Sequence, residues 1–166
     1  KNYGFSKAVN IGIKESSAEF VVLLNNDTKV EPLWLESLVK CISKDPNIFS
    51  CSSKMIRYHE RNLIDDAGDQ YIIFGKAYKR GDGQDIRLYN EDTQVFSSCA
   101  GAAIYRRELF NEIGYFDENF FAYMEDVDIG YRARIYGYKN MYCSSAIVYH
   151  IGSATTGSVR HNSFKV

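Results

Sequence analysis

Three polar residues, Asn25, Asn26 and Asp27, directly follow the apolar run at residues 20–24. Asn25 and Asp27 are two positions apart, so their side chains share a face if the backbone stays extended. Two oxygen-bearing side chains on one face can hold a hard divalent cation and, through it, a phosphate. The pattern therefore predicts a metal–diphosphate site. It is also typical of a turn, because Asn and Asp side chains readily bond their own backbone.

A second acidic cluster contains Glu125, Asp126 and Asp128, at the start of a helix predicted to run to residue 136. Carboxylates at a helix N-terminus complement the helix dipole, and each stabilises the helix by ~0.3–1 kcal/mol. A carboxylate held in this way can also act as general base for an alcohol nucleophile if it faces a cleft. Both interpretations remain open, and the aromatic residues at 120–123 could cover an acceptor.

His150 ends the apolar run at residues 146–150. A lone histidine after a strand is most often structural. At the carboxyl end of a strand, in a protein with a predicted metal site, it is also a candidate metal ligand.

Alternating strands and helices must position these residues. The pattern predicts helices at residues 6–15, 33–42, 106–113 and 127–136, and strands at residues 20–24, 48–56, 94–105, 139–143 and 146–150. Such alternation is typical of an α/β fold, with residues 20–24 in a strand buried on both faces of a parallel sheet. Residues 57–93 are irregular, with a short hairpin predicted at 71–78, and form either a functional insertion or a surface loop.

The composition excludes several classes of protein. The 166 residues are about one domain's worth, and a net charge of −1 gives no support for nucleic-acid binding. No apolar run approaches the ~20 residues of a membrane span. The four cysteines are widely spaced without a CxxC pair, which predicts reduced, buried thiols. The chain starts with Lys1 rather than Met, so we expect a fragment or a trimmed chain.

Two alternative functional motifs, a calcium-binding loop and the phosphate-binding loop of a nucleotide hydrolase, do not match the sequence. Asn25, Asp27 and Glu36 occupy positions 1, 3 and 12 of a helix–loop–helix calcium loop, but Lys29 and Val30 occupy positions 5 and 6, where an oxygen ligand and a glycine are needed. A nucleotide hydrolase would need a glycine-rich loop ending in Lys-Ser/Thr, and the sequence has none.

Taken in order, the motifs resemble those of the family 2 nucleotide-sugar glycosyltransferases, particularly their bacterial and archaeal rhamnosyltransferase-like branch. The resemblance covers residues 1–153. It is carried by Asn2-Tyr3-Gly4-Phe5 with Ala8, Asn10 and Gly12, by the DXD-type motif at 23–28, by residues 100–107, by the acidic motif at 114–128, and by Tyr149-His150.

The resemblance implies a GT-A fold, a Rossmann-like mixed sheet flanked by helices, and an inverting transfer. Asp27 would hold Mg²⁺ or Mn²⁺ across the donor diphosphate, with His150 as a further ligand. Asp126 would take the proton of the acceptor hydroxyl, and Glu125 would orient the acceptor or serve as the alternative base. The implied nucleotide-sugar-binding residues are Asn2, Gly4, Asn10, Asn25, Asn26, Asp27 and Gly101.

The resemblance also implies partners and boundaries. The partners would be a nucleotide-sugar donor and a saccharide or lipid-linked acceptor, in polysaccharide biosynthesis at the cytoplasmic face of the cell membrane, with peripheral membrane association. We expect residues 1–153 to be a partial catalytic domain without its first nucleotide-binding strands, and 154–166 a truncated tail. Asn25 stands where many relatives carry Asp. The alternative is a noncatalytic sugar- or nucleotide-binding module, or an inactive fragment.

Overall fold

The computed structural model describes residues 3–152. Within this range the chain forms the helices α1 Phe5–Glu15, α2 Trp34–Ile42, α3 Phe110–Ile113 and α4 Glu125–Ile135. The strands are β1 Phe20–Leu24, β2 Thr28–Val30, β3 Ile48–Arg57, β4 Ile64–Asp66, β5 Asp69–Ile72, β6 Lys76–Lys79, β7 Thr93–Val95, β8 Ala102–Arg106 and β9 Lys139–His150. No helix in the described range has the length and apolar character needed to cross a membrane.

The strands form a mixed sheet with the order β1-β8-β3-β9-β2. β3 and β9 run parallel, and the other pairs in this sheet are antiparallel. β4 extends the sheet beside β3, and β7 extends it beside β9, whereas β5 and β6 form a separate hairpin. The predicted α/β fold with a mixed sheet and flanking helices is confirmed.

Both faces of the sheet are covered. On one face α2 packs against β3, β8 and β9, with Leu38 and Ile42 fully buried. On the other face Phe49, Tyr105 and Phe110 form an aromatic cluster with ring centroids 5.2–5.8 Å apart, packed under α1 and α4. β3, in the centre, is buried along nearly its whole length, so the functional residues must come from strand ends and loops.

β1 differs from its prediction. It pairs with β8 in antiparallel register, and its burial alternates along the strand. Val21 and Leu23 pack toward the aromatic cluster, whereas Val22 and Leu24 are 36% and 45% exposed. The prediction of a parallel strand buried on both faces was wrong, because a run of five apolar residues does not reveal which face a neighbouring helix covers.

Two other predicted strands have different boundaries. The single strand predicted at residues 94–105 is divided into β7 and β8 by a turn at residues 96–101. The two strands predicted at 139–143 and 146–150 are one strand, β9, whose register against β3 shifts between Ser53 and Lys54. This irregularity lets one strand accommodate the polar residues Ser144 and Ser145 without ending.

A tight contact joins α4 to the turn between β7 and β8. A Cβ built on Gly130 would lie 2.3 Å from the Ser97 Cβ and 2.8 Å from the Ser97 Cα. Gly130→Ala must therefore displace the helix, and we expect it to lower the free energy of unfolding by about 1–3 kcal/mol.

Gly12→Ala is the matched control, because a Cβ on Gly12 in α1 meets nothing within 4 Å. This change should raise the free energy of unfolding by about 0.5–1 kcal/mol, since alanine favours the helix. Denaturant unfolding of both variants measures the difference, and equal stabilities would contradict the close packing at Gly130.

Candidate functional site

The end of β9 meets the residue that precedes β2. The two strands are antiparallel with Thr28 opposite His150, so Asp27 lies beside the imidazole. His150 Nε2 is 3.4 Å from Asp27 Oδ2, and the Ile151 amide donates to the Asp27 carbonyl at 2.9 Å. The sheet thus brings together two predicted metal ligands that are far apart in the sequence.

Asp65, in β4 near the start of the irregular segment, orients this histidine. Its Oδ2 lies 2.8 Å from His150 Nδ1 and 3.4 Å from Lys79 Nζ. The hydrogen bond to Asp65 raises the pKa of His150, against the effect of burial. Burial disfavours the ionised form of Asp65, but His150 and Lys79 outweigh it and lower the pKa of that carboxyl. A carboxylate on Nδ1 is the usual support of a metal-binding histidine, because it fixes the ring and leaves Nε2 for the metal.

The donor set at this point fits a divalent cation. Asp27 offers a carboxylate oxygen and His150 an imidazole nitrogen, a combination suited to Mn²⁺, while the oxygen alone suits Mg²⁺. Their side chains are 12% and 15% exposed, so the pair is largely buried but still in contact with solvent. Two protein ligands leave the remaining coordination positions to a bound molecule and water.

The spacing of Asn25 and Asp27 predicted that their side chains share one face of an extended backbone, but in the structure they do not. The chain turns at Asn26 and Asp27, and Thr28 Oγ1 donates to the Asn25 carbonyl at 2.6 Å. Asn25 lies by the turn at residues 96–101, since its backbone N–H donates to the Gly101 carbonyl at 2.8 Å. The turn interpretation is confirmed, and the turn places Asp27 beside His150. Asn26 is exposed at its tip.

Asp126 sits in the first turn of α4 and is held by two backbone amides. Oδ2 accepts from the Ala100 amide at 3.1 Å, and Oδ1 accepts from the Val127 amide at 2.9 Å. Burial nevertheless raises the pKa of Asp126, since the amides compensate only in part. Because Ala100 precedes Gly101, the residue bonded to Asn25, one turn connects the end of β1 to this carboxylate.

The backbone before α4 is strained. Tyr123 and Met124 have φ angles of 71° and 73°, a left-handed conformation that is costly for residues other than glycine and is often found at functional sites. Glu125 follows, only 6% exposed, and its Oε2 lacks a hydrogen-bond partner within the described residues. Burial raises the pKa of Glu125 to about 7.

Two further acids from the irregular segment lie near Asp126. Asp69 Oδ2 accepts from Ser97 Oγ at 3.0 Å, and the Asp69 amide donates to the Ser97 carbonyl at 3.0 Å. Burial raises the pKa of Asp66 to about 7 and of Asp69 to about 8, and the charge of Asp126 adds to both shifts. Lys79 opposes this charge, since it lowers the pKa of all three acids.

The remaining predicted donor-binding residues lie near α1. Asn10 is 2% exposed, and its amide donates to and accepts from the Phe116 backbone at 2.8 and 3.1 Å. The structure thus gives Asn10 a structural contact, and its role in donor binding stays a prediction. Gly4 has a φ of 84°, and a Cβ there would lie 2.6 Å from the Phe121 carbonyl oxygen. Asn2 lies outside the described residues.

Sequence reasoning missed Asp65, Asp66, Asp69 and Lys79. Apart from the hairpin predicted at 71–78, their segment lacks helical or strand periodicity, so the sequence left it open whether residues 57–93 were a surface insertion. The available signal was the pair Asp65-Asp66 followed by Ala67-Gly68, an acidic turn with a glycine at φ 91°. The hairpin β5–β6 then returns the chain so that Lys79 faces Asp65.

The sequence profile of glycosyl transferase family 2 matches residues 1–114, more than half of the chain. The chain belongs to glycosyl transferase family 2. This confirms the resemblance inferred from the ordered motifs. The match includes Asn25, Asp27 and Gly101, whereas Asp126 and His150 lie beyond it.

Relatives of this family 2 chain extend the match past residue 114. The uncharacterized glycosyltransferase YwdF of Bacillus subtilis (strain 168) is 32% identical over 149 residues, which cover 89% of this chain and 51% of that protein. The N-acetylglucosaminyl-diphospho-decaprenol L-rhamnosyltransferase of Mycobacterium tuberculosis (strain ATCC 25618 / H37Rv) is 26% identical over 179 residues, covering 94% and 58% respectively. The family 2 chain therefore spans about half the length of these relatives.

A solved structure shares the fold. The crystal structure of GalNAc-T7 with UDP, GalNAc and Mn²⁺ superposes with a TM-score of 0.71 and 21% identity, covering 89% of this chain and 30% of that one. At this identity the likeness establishes the fold, and the fold of this family 2 chain is GT-A.

Proposed function

We propose that this family 2 chain carries the catalytic centre of an inverting, metal-dependent glycosyltransferase. The reaction moves a sugar from a nucleoside-diphosphate sugar to a hydroxyl group of a saccharide or lipid-linked acceptor. One observation carries the proposal: the loop that binds Asp126 through Ala100 also binds Asn25 through Gly101, two residues before Asp27. The loop at residues 96–101 therefore links the candidate base to the segment that carries the candidate cation ligand Asp27.

Asp126 is the proposed general base. The amides of Ala100 and Val127 fix its carboxylate, so it is oriented before an acceptor arrives. In this mechanism it removes the proton of the acceptor hydroxyl as that oxygen attacks the anomeric carbon, from the face opposite the departing diphosphate. Glu125, buried beside it, is the proposed acceptor-orienting residue or alternative base.

Asp27 and His150 are the proposed ligands of Mn²⁺ or Mg²⁺, and Asp65 is the positioning residue that orients His150. When bound, the cation would neutralise charge on the departing nucleoside diphosphate. Lys79 has a side chain 44% exposed next to Asp65, and we assign its ammonium group a supporting role against the same negative charge.

The reaction is proposed to take place at the cytoplasmic face of the cell membrane, with the protein peripherally associated. The support comes from a relative whose name specifies a sugar linked through diphosphate to decaprenol, a lipid. Polysaccharide biosynthesis is the corresponding process.

A donor panel tests the function. UDP-, GDP- and dTDP-sugars are each offered to the protein at its full natural length with Mn²⁺, because this chain spans about half of its relatives. We expect one donor class to bind by calorimetry only when the cation is present, and to transfer its sugar to a saccharide or lipid-linked acceptor. Binding that is indifferent to the cation, or no transfer from any donor, would refute the proposal.

A further inference from the structure

A second group of metal-ligating side chains lies away from the candidate active site. Cys41 in the last turn of α2, Cys143 in β9 and Asp92 before β7 each offer a donor atom, and the three atoms all lie within 4.8 Å of one another. The cysteines are 2% and 1% exposed, and Asp92 closes the group on the solvent side. Three separate elements thus place two sulfurs and a carboxylate around one point.

The carboxylate of this group is held in place. Asp92 Oδ1 accepts from the Ser144 amide at 2.8 Å and from Ser144 Oγ at 2.9 Å, and Oδ2 accepts from Lys44 Nζ at 2.7 Å. Cys143 Sγ lies 3.5 Å from the Ser37 carbonyl oxygen, to which the thiol donates, and 3.5 Å from Ser145 Oγ, which can donate to the sulfur once the thiol proton has left. These contacts fix Asp92 and Cys143 within hydrogen-bonded surroundings, so the donors are arranged before any ligand is present.

We propose that Cys41, Cys143 and Asp92 bind a zinc ion. Two thiolates with a carboxylate are a zinc donor set, and a water on the solvent side would complete the tetrahedron. Zinc–sulfur bonds of about 2.3 Å place two sulfurs about 3.8 Å apart in a tetrahedral site, so the two sulfurs must approach each other by about 1 Å at most.

Binding would follow a simple balance of protons and charge. Each thiol loses one proton to solvent as its sulfur bonds the ion. Two thiolates, one carboxylate and Zn²⁺ then carry a net charge of −1, which the ammonium group of Lys44 offsets at its 2.7 Å contact with Asp92. The ion would fasten the end of α2 to β9, the strand whose other end carries His150.

Cobalt titration tests the site, because Co²⁺ bound by thiolates gives a charge-transfer absorption that oxygen and nitrogen ligands do not. The protein is reduced and kept free of oxygen. We expect one equivalent of Co²⁺ per chain to produce the band, and Zn²⁺ to displace it. Cys41→Ser and Cys143→Ser should remove the band, whereas the matched control Cys99→Ser, which changes a thiol outside the group, should keep it.

Two further variants keep the test decisive if a buried serine prevents folding. Asp92→Asn changes the solvent-facing ligand and should weaken Co²⁺ binding at least about tenfold. About a tenfold loss of metal affinity is usual even when the substituted residue only hydrogen-bonds to a ligand. Asp27→Asn should leave the band unchanged, which separates this site from the proposed catalytic cation. The inference is overturned if the reduced protein gives no band, if Cys143→Ser and Asp92→Asn both retain it, or if the cysteines form a disulfide and bind no metal after reduction.

Discussion

Asp126→Asn is expected to reduce sugar transfer by about 10²–10⁴-fold, the usual contribution of general-base catalysis. Asparagine has nearly the same shape, and its side-chain oxygen can still accept from the Ala100 amide as Asp126 does at 3.1 Å. The loop should therefore remain in place, and Mn²⁺-dependent donor binding should change little. Single-turnover transfer measured beside calorimetric donor binding separates the two effects.

Asp128→Asn is the matched control for this prediction. Asp128 lies two positions further along α4, but its carboxylate accepts from Arg132 at 2.8 Å, and Arg132 in turn bonds the Ile113 carbonyl. Its loss should affect stability and leave most of the transfer activity. If Asp126→Asn weakens donor binding and turnover equally, Asp126 would be a structural residue and the assignment as base would fail.

The pH dependence provides a separate check on Asp126. Burial raises its pKa, and Asp66, Asp69, Glu125 and Lys79 are the charged groups around it. A base must be deprotonated to work, so transfer should fall as the pH drops through this raised pKa, above the ordinary aspartate value of about 3.9. The residual rate of Asp126→Asn should lack this acid limb.

The second large effect is expected at Asp27. Asp27→Asn removes the anionic ligand next to His150, 3.4 Å away. A metal that neutralises a leaving group stabilises the transition state by several kcal/mol, and about 1.4 kcal/mol is tenfold in rate, so transfer should fall on the order of 10³-fold. The Mn²⁺ dependence of the remaining rate should become flat.

Substitutions of two other aspartates provide smaller expected effects with which the Asp27→Asn result can be compared. Asp65→Asn removes the support of His150 and should weaken the apparent Mn²⁺ affinity by about 10–100-fold, less than the loss of a direct ligand. Asp45→Asn breaks an ion pair with Lys139 at the opposite end of β9 and should leave the metal titration unchanged. An unaltered manganese titration in Asp27→Asn would refute the ligand role.

The parts of this fold that the sequence predicted are local ones. The apolar spacing of α1, α2 and α4 gave helices within a few residues of their observed bounds, because a helix is specified by neighbours three and four positions apart. The polar residues after β1 and at the start of α4 were also located from local sequence, because each group adjoins the apolar residues of its own element. Local signals therefore named the residues of the candidate site that lie at element ends.

The parts that could not be predicted depend on pairing between distant segments. Nothing in β1 indicates that β8 pairs with it, or that β9 lies between β3 and β2. The serines of β3 interrupt its apolar pattern, so the sequence did not show that the strand is buried. Their hydroxyl groups find buried hydrogen-bond partners: Ser50 donates to Asn140 at 2.8 Å, and Ser53 accepts from Trp34 at 2.8 Å. Asp65 and Lys79 become part of the site only through such long-range contacts, so no short window of sequence could reveal them.

The pairing of β2 with β9 also has a consequence for how the chain folds as it is synthesised. β9 is the last strand of the described range, so β2 and Asp27 leave the ribosome well before their partner strand has been made. Contacts between such distant segments form late, because a long intervening loop must be closed first. A nascent chain halted before residue 150 could therefore build β1 and α2 but would have no cation site.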